Sequence, residues 1–249
     1  MVVKSIQKTY RAWRHELKIF LFTKILRRKK LHFIHIGKTG GTAVKEALKF
    51  HRITPKYVLF FYRHDFSLKD VPTGEKAFFF LRDPVQRYFS AFSDRKRKGL
   101  PRYYGPWSPE EEEAFSRFQS AEELASALGS SDPDLREHAE KAMKGIFHVQ
   151  THFWDWFGSR EYFLSRLEDI VYVGFQESLE EDFARLKQLT GLPRELRLPE
   201  DETMAHRNTS SKSQFLSPES VENIRRWYRS DYEFMAFCRE LIAAGKTNS

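Results

Sequence analysis

Leu31-His32-Phe33-Ile34-His35-Ile36-Gly37-Lys38-Thr39-Gly40-Gly41-Thr42 decides the fold. An apolar run, Leu31 to Ile36, gives way to a glycine-rich turn, and residues 42–50 follow with a helical pattern. A short buried strand feeding a tight turn and a helix is half of a parallel β–α unit. Gly40 and Gly41 allow a backbone to approach an anion closely. The first N–H groups of the helix lack intrahelical acceptors and can bind that anion. Lys38 adds a full charge, and Thr39 and Thr42 add hydroxyl donors. The plainer alternative is an ordinary strand–helix turn that carries a surface lysine.

Further along, Tyr57–Tyr62, Lys76–Leu81 and Ile170–Phe175 are apolar runs of strand length bounded by turn residues. Asp83-Pro84-Val85-Gln86 is a helix start, with Asp as cap, Pro at the first helical position and Gln able to reach back. A helix of about four turns is expected from it, reaching Lys98. Residues 110–166 read as helical with breaks, 177–190 as a helix ending at Gly191, and Ser217 to Ala244 as the last helix. Strands alternating with helices predict an α/β fold with a central, mostly parallel sheet flanked by helices. Ligands bind such sheets at the carboxyl ends of the strands. That rule puts Gly37–Thr42, His64 and Arg82 on one edge of the molecule.

The chain has 249 residues and a net charge of +8. Residues 1–30 hold ten basic side chains against the single acid Glu16, whereas the other 219 residues carry 32 basic and 33 acidic ones. The charge therefore belongs to an N-terminal arm (residues 1–30), and gives no ground for nucleic-acid binding by the body (residues 31–249). Ile6, Tyr10, Trp13, Leu17 and Leu21 recur at helical spacing in the arm. Such a helix either packs on the body or a second subunit, or lies on an anionic membrane surface. The arm lacks the long apolar run and cleavage site of a secretion signal, and no run of about 18 uncharged apolar residues predicts a membrane span. Cys238 is the only cysteine, so an internal disulfide is impossible. A reducing, cytoplasmic location is the expectation.

Gly37-Lys38-Thr39 looks like the tail of a Walker A loop, but His32 stands where the first glycine of that motif is required. Phe78–Asp83 superficially imitates a Walker B strand. A second anion motif, Arg82-Asp83-Pro84-Val85-Gln86-Arg87-Tyr88-Phe89-Ser90, sets a planar guanidinium at a strand end and a hydroxyl two turns into the next helix. Taken together, the two motifs resemble the signature sequences of sulfotransferases that use 3′-phosphoadenosine 5′-phosphosulfate (PAPS), and most of all the carbohydrate branch typified by heparan sulfate 2-O-sulfotransferase. The family pattern is Pro-Lys-Thr-Gly-Gly-Thr-Ser followed by Arg-Asp-Pro-x-x-Arg-x-x-Ser. Gly37 replaces the proline here and Ala43 the serine, which shifts donor contact toward Thr42.

The resemblance implies a P-loop-like three-layer fold, PAPS as donor, 3′-phosphoadenosine 5′-phosphate (PAP) as product, and no metal. It implies that Lys38, Thr39, Gly40, Gly41 and Thr42 hold the 5′-phosphosulfate and that Arg82 and Ser90 clamp the 3′-phosphate. It also implies that His64 is the catalytic base and Lys38 the cation on the leaving phosphate. Residues 205–212, with Arg207, Thr209 and Lys212, look like the loop that closes over the donor; the alternative is a polar linker. His32 and His35 read as structural. His148 and His152 stand one helical spacing apart, without an evident third metal ligand. For the acceptor, Tyr103, Tyr104, Trp107, Trp154 and Trp156 offer ring faces for sugars, and Arg95, Lys96, Arg97, Lys98 and Arg102 offer charge for an anionic glycan. Core packing and a solvated helix face are the alternatives. Two other functions remain: a nucleotide-dependent kinase and a nucleotide- or polyanion-binding module without chemistry.

Overall fold

The computed structural model describes residues 21–25, 28–199 and 216–248. Most of the N-terminal arm, and the loop with Arg207, Thr209 and Lys212, lie outside the described residues.

Four parallel strands form the sheet: β1 (Lys29–Ile34), β2 (Tyr57–Phe61), β3 (Lys76–Leu81) and β4 (Ile170–Phe175), in the order β2-β1-β3-β4. Helix α1 (Gly41–Leu48) carries the chain from β1 to β2 on one side, and β3 then pairs with β1 on the other. The chain thus leaves β1 and β3 toward opposite sides, which opens a crevice at their carboxyl ends.

Alternate strand residues face opposite layers. Phe33, Phe78, Phe80 and Tyr172 pack under α1 and under α8 (Leu179–Thr190). Ile34, Phe79, Leu81 and Val173 pack on the other face, against Phe153 and Phe157 of α6 (Phe153–Phe157), Phe163 of α7 (Arg160–Ser165) and Phe234 of α10 (Arg229–Ala243). This is the expected three-layer arrangement. A third apolar cluster unites α2 (Pro84–Lys96), α3 (Pro109–Arg117), α4 (Ala121–Ala127), α5 (Pro133–Gly145) and α9 (Pro218–Trp227) beside the sheet.

Several boundaries differ from the sequence reading. The first strand ends at Ile34, and Ile36 N–H turns back to the Ile34 carbonyl at 3.2 Å, so His35 and Ile36 open the loop. α2 stops at Lys96, because Lys98 and Gly99 both take positive φ. The last helix is two helices broken at Tyr228, whose buried hydroxyl donates to the Val149 carbonyl. His148 and His152 do not share a helix: His148 has φ 67° in a turn, and His152 precedes α6. No helix among the described residues is long and apolar enough to cross a membrane.

Arg87 of α2 ties the layers together. It is fully buried, with Nη1 3.6 Å from Asp231 Oδ2 of α10. Its other nitrogens donate to the carbonyls of Gly37 (3.3 Å), His148 (3.2 Å) and Thr151 (2.8 Å) and to the Thr151 hydroxyl (2.6 Å). Asp231 Oδ1 also accepts from Phe153 N–H at 3.1 Å and lies 3.2 Å from His152 Nδ1. Removing one partner leaves the other charge buried. Asp231→Ala is therefore expected to lower unfolding stability by about 3–5 kcal/mol in urea titrations.

Candidate active site

All four strand ends open on one cleft of about 730 Å³. The segment after β1 contributes His35, Lys38, Gly40, Gly41 and Thr42; that after β2, Tyr62, Arg63 and His64; Arg82 follows β3 and Gln176 follows β4. Ser90 and Asp94 enter from α2, Lys45 and Glu46 from α1, Lys49 from its C-cap, and Tyr103 and Phe147 from loops. Six cationic side chains line the cleft (Lys38, Lys45, Lys49, Arg63, Arg82, Arg102) against two acidic ones (Glu46, Asp94). Such a surface favours anionic ligands.

The turn after β1 is shaped by close approach. A Cβ at Gly37 would stand 2.3 Å from His148 Nδ1, and one at Gly41 would stand 2.4 Å from His35 Cδ2. Gly40 takes φ 81° at the start of α1 and supplies no side-chain cap. By contrast, Asp83 caps α2 and Ser108 caps α3 with side-chain oxygens. The N-terminus of α1 therefore meets the cleft as bare backbone beside Thr42. Lys38 itself sits at φ 67°, which a non-glycine residue adopts only under constraint. Thr39 does not line the cleft; it is buried, and its hydroxyl donates to the Ile36 carbonyl at 3.0 Å. Ala43 packs into the core under α1, so Thr42 is the hydroxyl that this turn presents.

Arg82 donates through Nη1 to the Lys38 carbonyl at 3.3 Å, linking the two anion motifs. Its Nε is buried and has no hydrogen-bond partner among the described residues. A buried guanidinium N–H without an acceptor is costly, and an anionic ligand in the cleft would satisfy it. Asp83, the residue that imitates a Walker B acid, accepts from Gln86 N–H at 3.0 Å and from the Tyr232 hydroxyl at 2.8 Å. It works as a helix cap and a tie to α10.

His64 is anchored at both ends. Its Nδ1 lies 2.8 Å from the His35 carbonyl, and Trp156 Nε1 donates to the His64 carbonyl at 2.7 Å. A carbonyl carries no proton, so Nδ1–H is the donor and the neutral ring keeps its lone pair on Nε2. Burial, with help from Lys38, Lys45 and Arg63, holds the His64 pKa below the ordinary imidazole value, although the bond to His35 acts the other way. His148 stands edge-on to His64, with centroids 4.8 Å apart, and burial with the nearby cations pushes its pKa well down. Two imidazoles with lowered pKa values thus face a strongly cationic cleft.

Several cleft residues were not singled out from the sequence: Lys45, Lys49, Arg63, Asp94, Phe147 and Gln176. Other expectations shift. Arg95 does not face a glycan; its Nε and Nη2 both donate to Glu111 at 2.6 Å in the helical cluster. Trp156 is buried under His64, and Trp107 Nε1 donates to the Arg95 carbonyl at 2.7 Å. Tyr104 is exposed, while Arg102 and Tyr103 reach the cleft. Among the described residues no group of His, Cys, Asp or Glu is placed to hold a metal ion.

The family model described as "Sulfotransferase family" matches residues 23–237. No curated protein matches the chain.

The Gly37 contact yields a direct test. Gly37→Ala must displace the His148 ring, at an overpacking cost of about 1–3 kcal/mol. It should also weaken binding of a phosphate-bearing nucleotide, measured by calorimetry, because the turn carries Lys38.

Proposed function

Because the chain belongs to the sulfotransferase family, we propose that it transfers a sulfuryl group from PAPS to a hydroxyl of a carbohydrate or glycoconjugate. The observation that carries this reading is one cleft in which the backbone turn, Lys38, the unsatisfied Arg82 Nε and the anchored His64 meet. Lys38, Gly40, Gly41 and Thr42, with Thr39 through its backbone, are the proposed 5′-phosphosulfate cradle. Arg82 and Ser90 are the proposed 3′-phosphate clamp. Arg207, Thr209 and Lys212 stand as donor ligands on the sequence resemblance alone.

Bound there, the donor supplies an activated sulfuryl group. His64 Nε2 accepts the proton of the acceptor hydroxyl as the new oxygen–sulfur bond forms and the sulfur–oxygen bond to phosphate breaks. Lys38 offsets the charge that appears on the leaving phosphate. The protein's part is mostly positioning and charge stabilisation, as in phosphoryl transfer. Lys45, Arg63 and Arg102 are left over once the donor's anions are matched and Lys49 is paired with Glu46, and Tyr103 and Phe147 offer exposed ring faces beside them. That combination favours a sugar acceptor that bears acidic groups. The basic arm, residues 1–30, remains a proposed contact for an anionic membrane surface.

PAP is expected to raise the melting temperature by mass action, and ATP with Mg²⁺ much less. Equal stabilisation by ATP with Mg²⁺ would favour a kinase. His64→Asn should lower turnover by about 10²–10⁴-fold and leave PAP affinity nearly unchanged. Because the His64 pKa is lowered, the imidazole stays neutral and active as pH falls to the ordinary histidine value. The acid limb of kcat/KM should therefore lie below pH ~6.5, the unperturbed value; a limb well above it would show that another group titrates.

A further inference from the structure

Lys38 needs its positive charge, and most of its surroundings oppose one. Its side chain is only 10% exposed. Arg82 at the end of β3 and Arg97 at the end of α2 press further positive charge on it. The His64 and His148 rings close in from the other strand end and from the turn before α6. Burial first, then the two guanidiniums, push the Lys38 pKa down. A buried lysine among cations holds its proton less tightly than one in water.

One carboxylate acts the other way. Asp94 Oδ2 lies 3.1 Å from Lys38 Nζ. The same oxygen accepts from the Tyr103 hydroxyl at 2.9 Å, and Gly99 N–H donates to the Asp94 carbonyl at 2.9 Å. The segment that follows α2 therefore folds back and fixes the aim of the carboxylate. A Cβ at Gly99 would stand 2.3 Å from the Tyr103 ring, so this packing is close. Asp94 lies one helical turn beyond Ser90, on the cleft side of α2.

We propose that Asp94 is a positioning residue whose carboxylate keeps the Lys38 ammonium charged and in place while the cleft holds no donor, with Tyr103 fixing the carboxylate. The proposal rests on the reading of Lys38 as a donor-binding cation. An anionic donor takes over as counter-ion when it binds. The influence of Asp94 therefore falls on the free protein, hence on donor affinity and kcat/KM, and much less on kcat. Asp94 also competes with the donor for Lys38. At low pH, where Lys38 is charged with or without its partner, removal of the carboxylate should not weaken donor binding. At high pH it should weaken binding strongly.

The test reads the Lys38 ammonium directly, by NMR titration of the ligand-free protein with isotope-labelled lysine, alongside PAP calorimetry from pH 6 to pH 9.5, a range chosen to span the titration of a depressed lysine. In Asp94→Asn, Lys38 should lose its proton about 1–3 pH units earlier, the size of effect that an opposite charge has at this range. PAP affinity should match or exceed wild type at the acid end and fall below it at the alkaline end. Asp94→Glu, which keeps the charge, should restore most of the wild-type titration. In a Lys38→Arg background the guanidinium keeps its proton throughout, so Asp94→Asn should cause no loss of PAP affinity at the alkaline end. Asp94→Ser, equally uncharged, serves if Asp94→Asn does not fold. An unchanged Lys38 titration in the uncharged variants overturns the proposal. So does an alkaline loss of PAP affinity that persists in the Lys38→Arg background. Failure of wild type to bind PAP at every pH would instead overturn the donor reading, since the ammonium titration needs no ligand.

Discussion

A single buried guanidinium holds the cleft in shape. Arg87 has no exposed surface, and it reaches the turn after β1, the turn that carries His148, the residue before His152, and α10. The rings of Phe153, Trp156 and Tyr228 stand 5.3–5.9 Å from its guanidinium carbon. A charge so deeply buried is tolerable only where hydrogen bonds and a counter-ion replace water. The requirement is strict, and it places three segments far apart in sequence at fixed distances. The planar fork of arginine suits this task, since lysine would offer a point charge without the same directional donors.

The cleft that results combines features that oppose one another. It gathers cations in a desolvated space, which favours anion binding and lowers the pKa values of Lys38, His64 and His148. A depressed histidine gains by this, because a neutral imidazole is the form that takes a proton. Under the proposed function a depressed lysine loses by it, because an anionic donor binds its charged form. In the role proposed for it, Asp94 answers that conflict locally, at 3.1 Å from Lys38, while burial remains the largest influence on His64.

Much of the architecture was legible in the sequence. β3 and β4 stand where the apolar runs Lys76–Leu81 and Ile170–Phe175 put them, because buried parallel strands have no polar face to blur their ends. Asp83 and Ser217 cap their helices as their side-chain chemistry requires. The two anion motifs meet in one cleft because both follow adjacent parallel strands. What stayed hidden depends on long-range packing. Arg87 reads in sequence as an ordinary helical arginine, and nothing local announces Asp231 as its partner 144 positions on. Asp94 and Tyr103 look like a solvated helix end and a loop aromatic, but they converge on Lys38. The spacing of His148 and His152 suggested one helix, whereas the turn that seats His148 against Gly37 needs a positive φ. Val149 and Gln150 N–H close that turn onto the Ile146 carbonyl, but the carbonyls of His148 and Thr151 are held by Arg87, which lies far away in sequence.

We propose that this cleft moves a sulfuryl group onto a sugar hydroxyl. This is tested most directly by incubating the protein with sulfur-labelled PAPS and a panel of acidic and neutral glycans, and following both label and nucleotide. The account predicts labelled glycan and PAP in equal amounts, with acidic acceptors preferred. Release of PAP without labelled glycan anywhere in the panel, or phosphoryl transfer from ATP to the same acceptors, would contradict it.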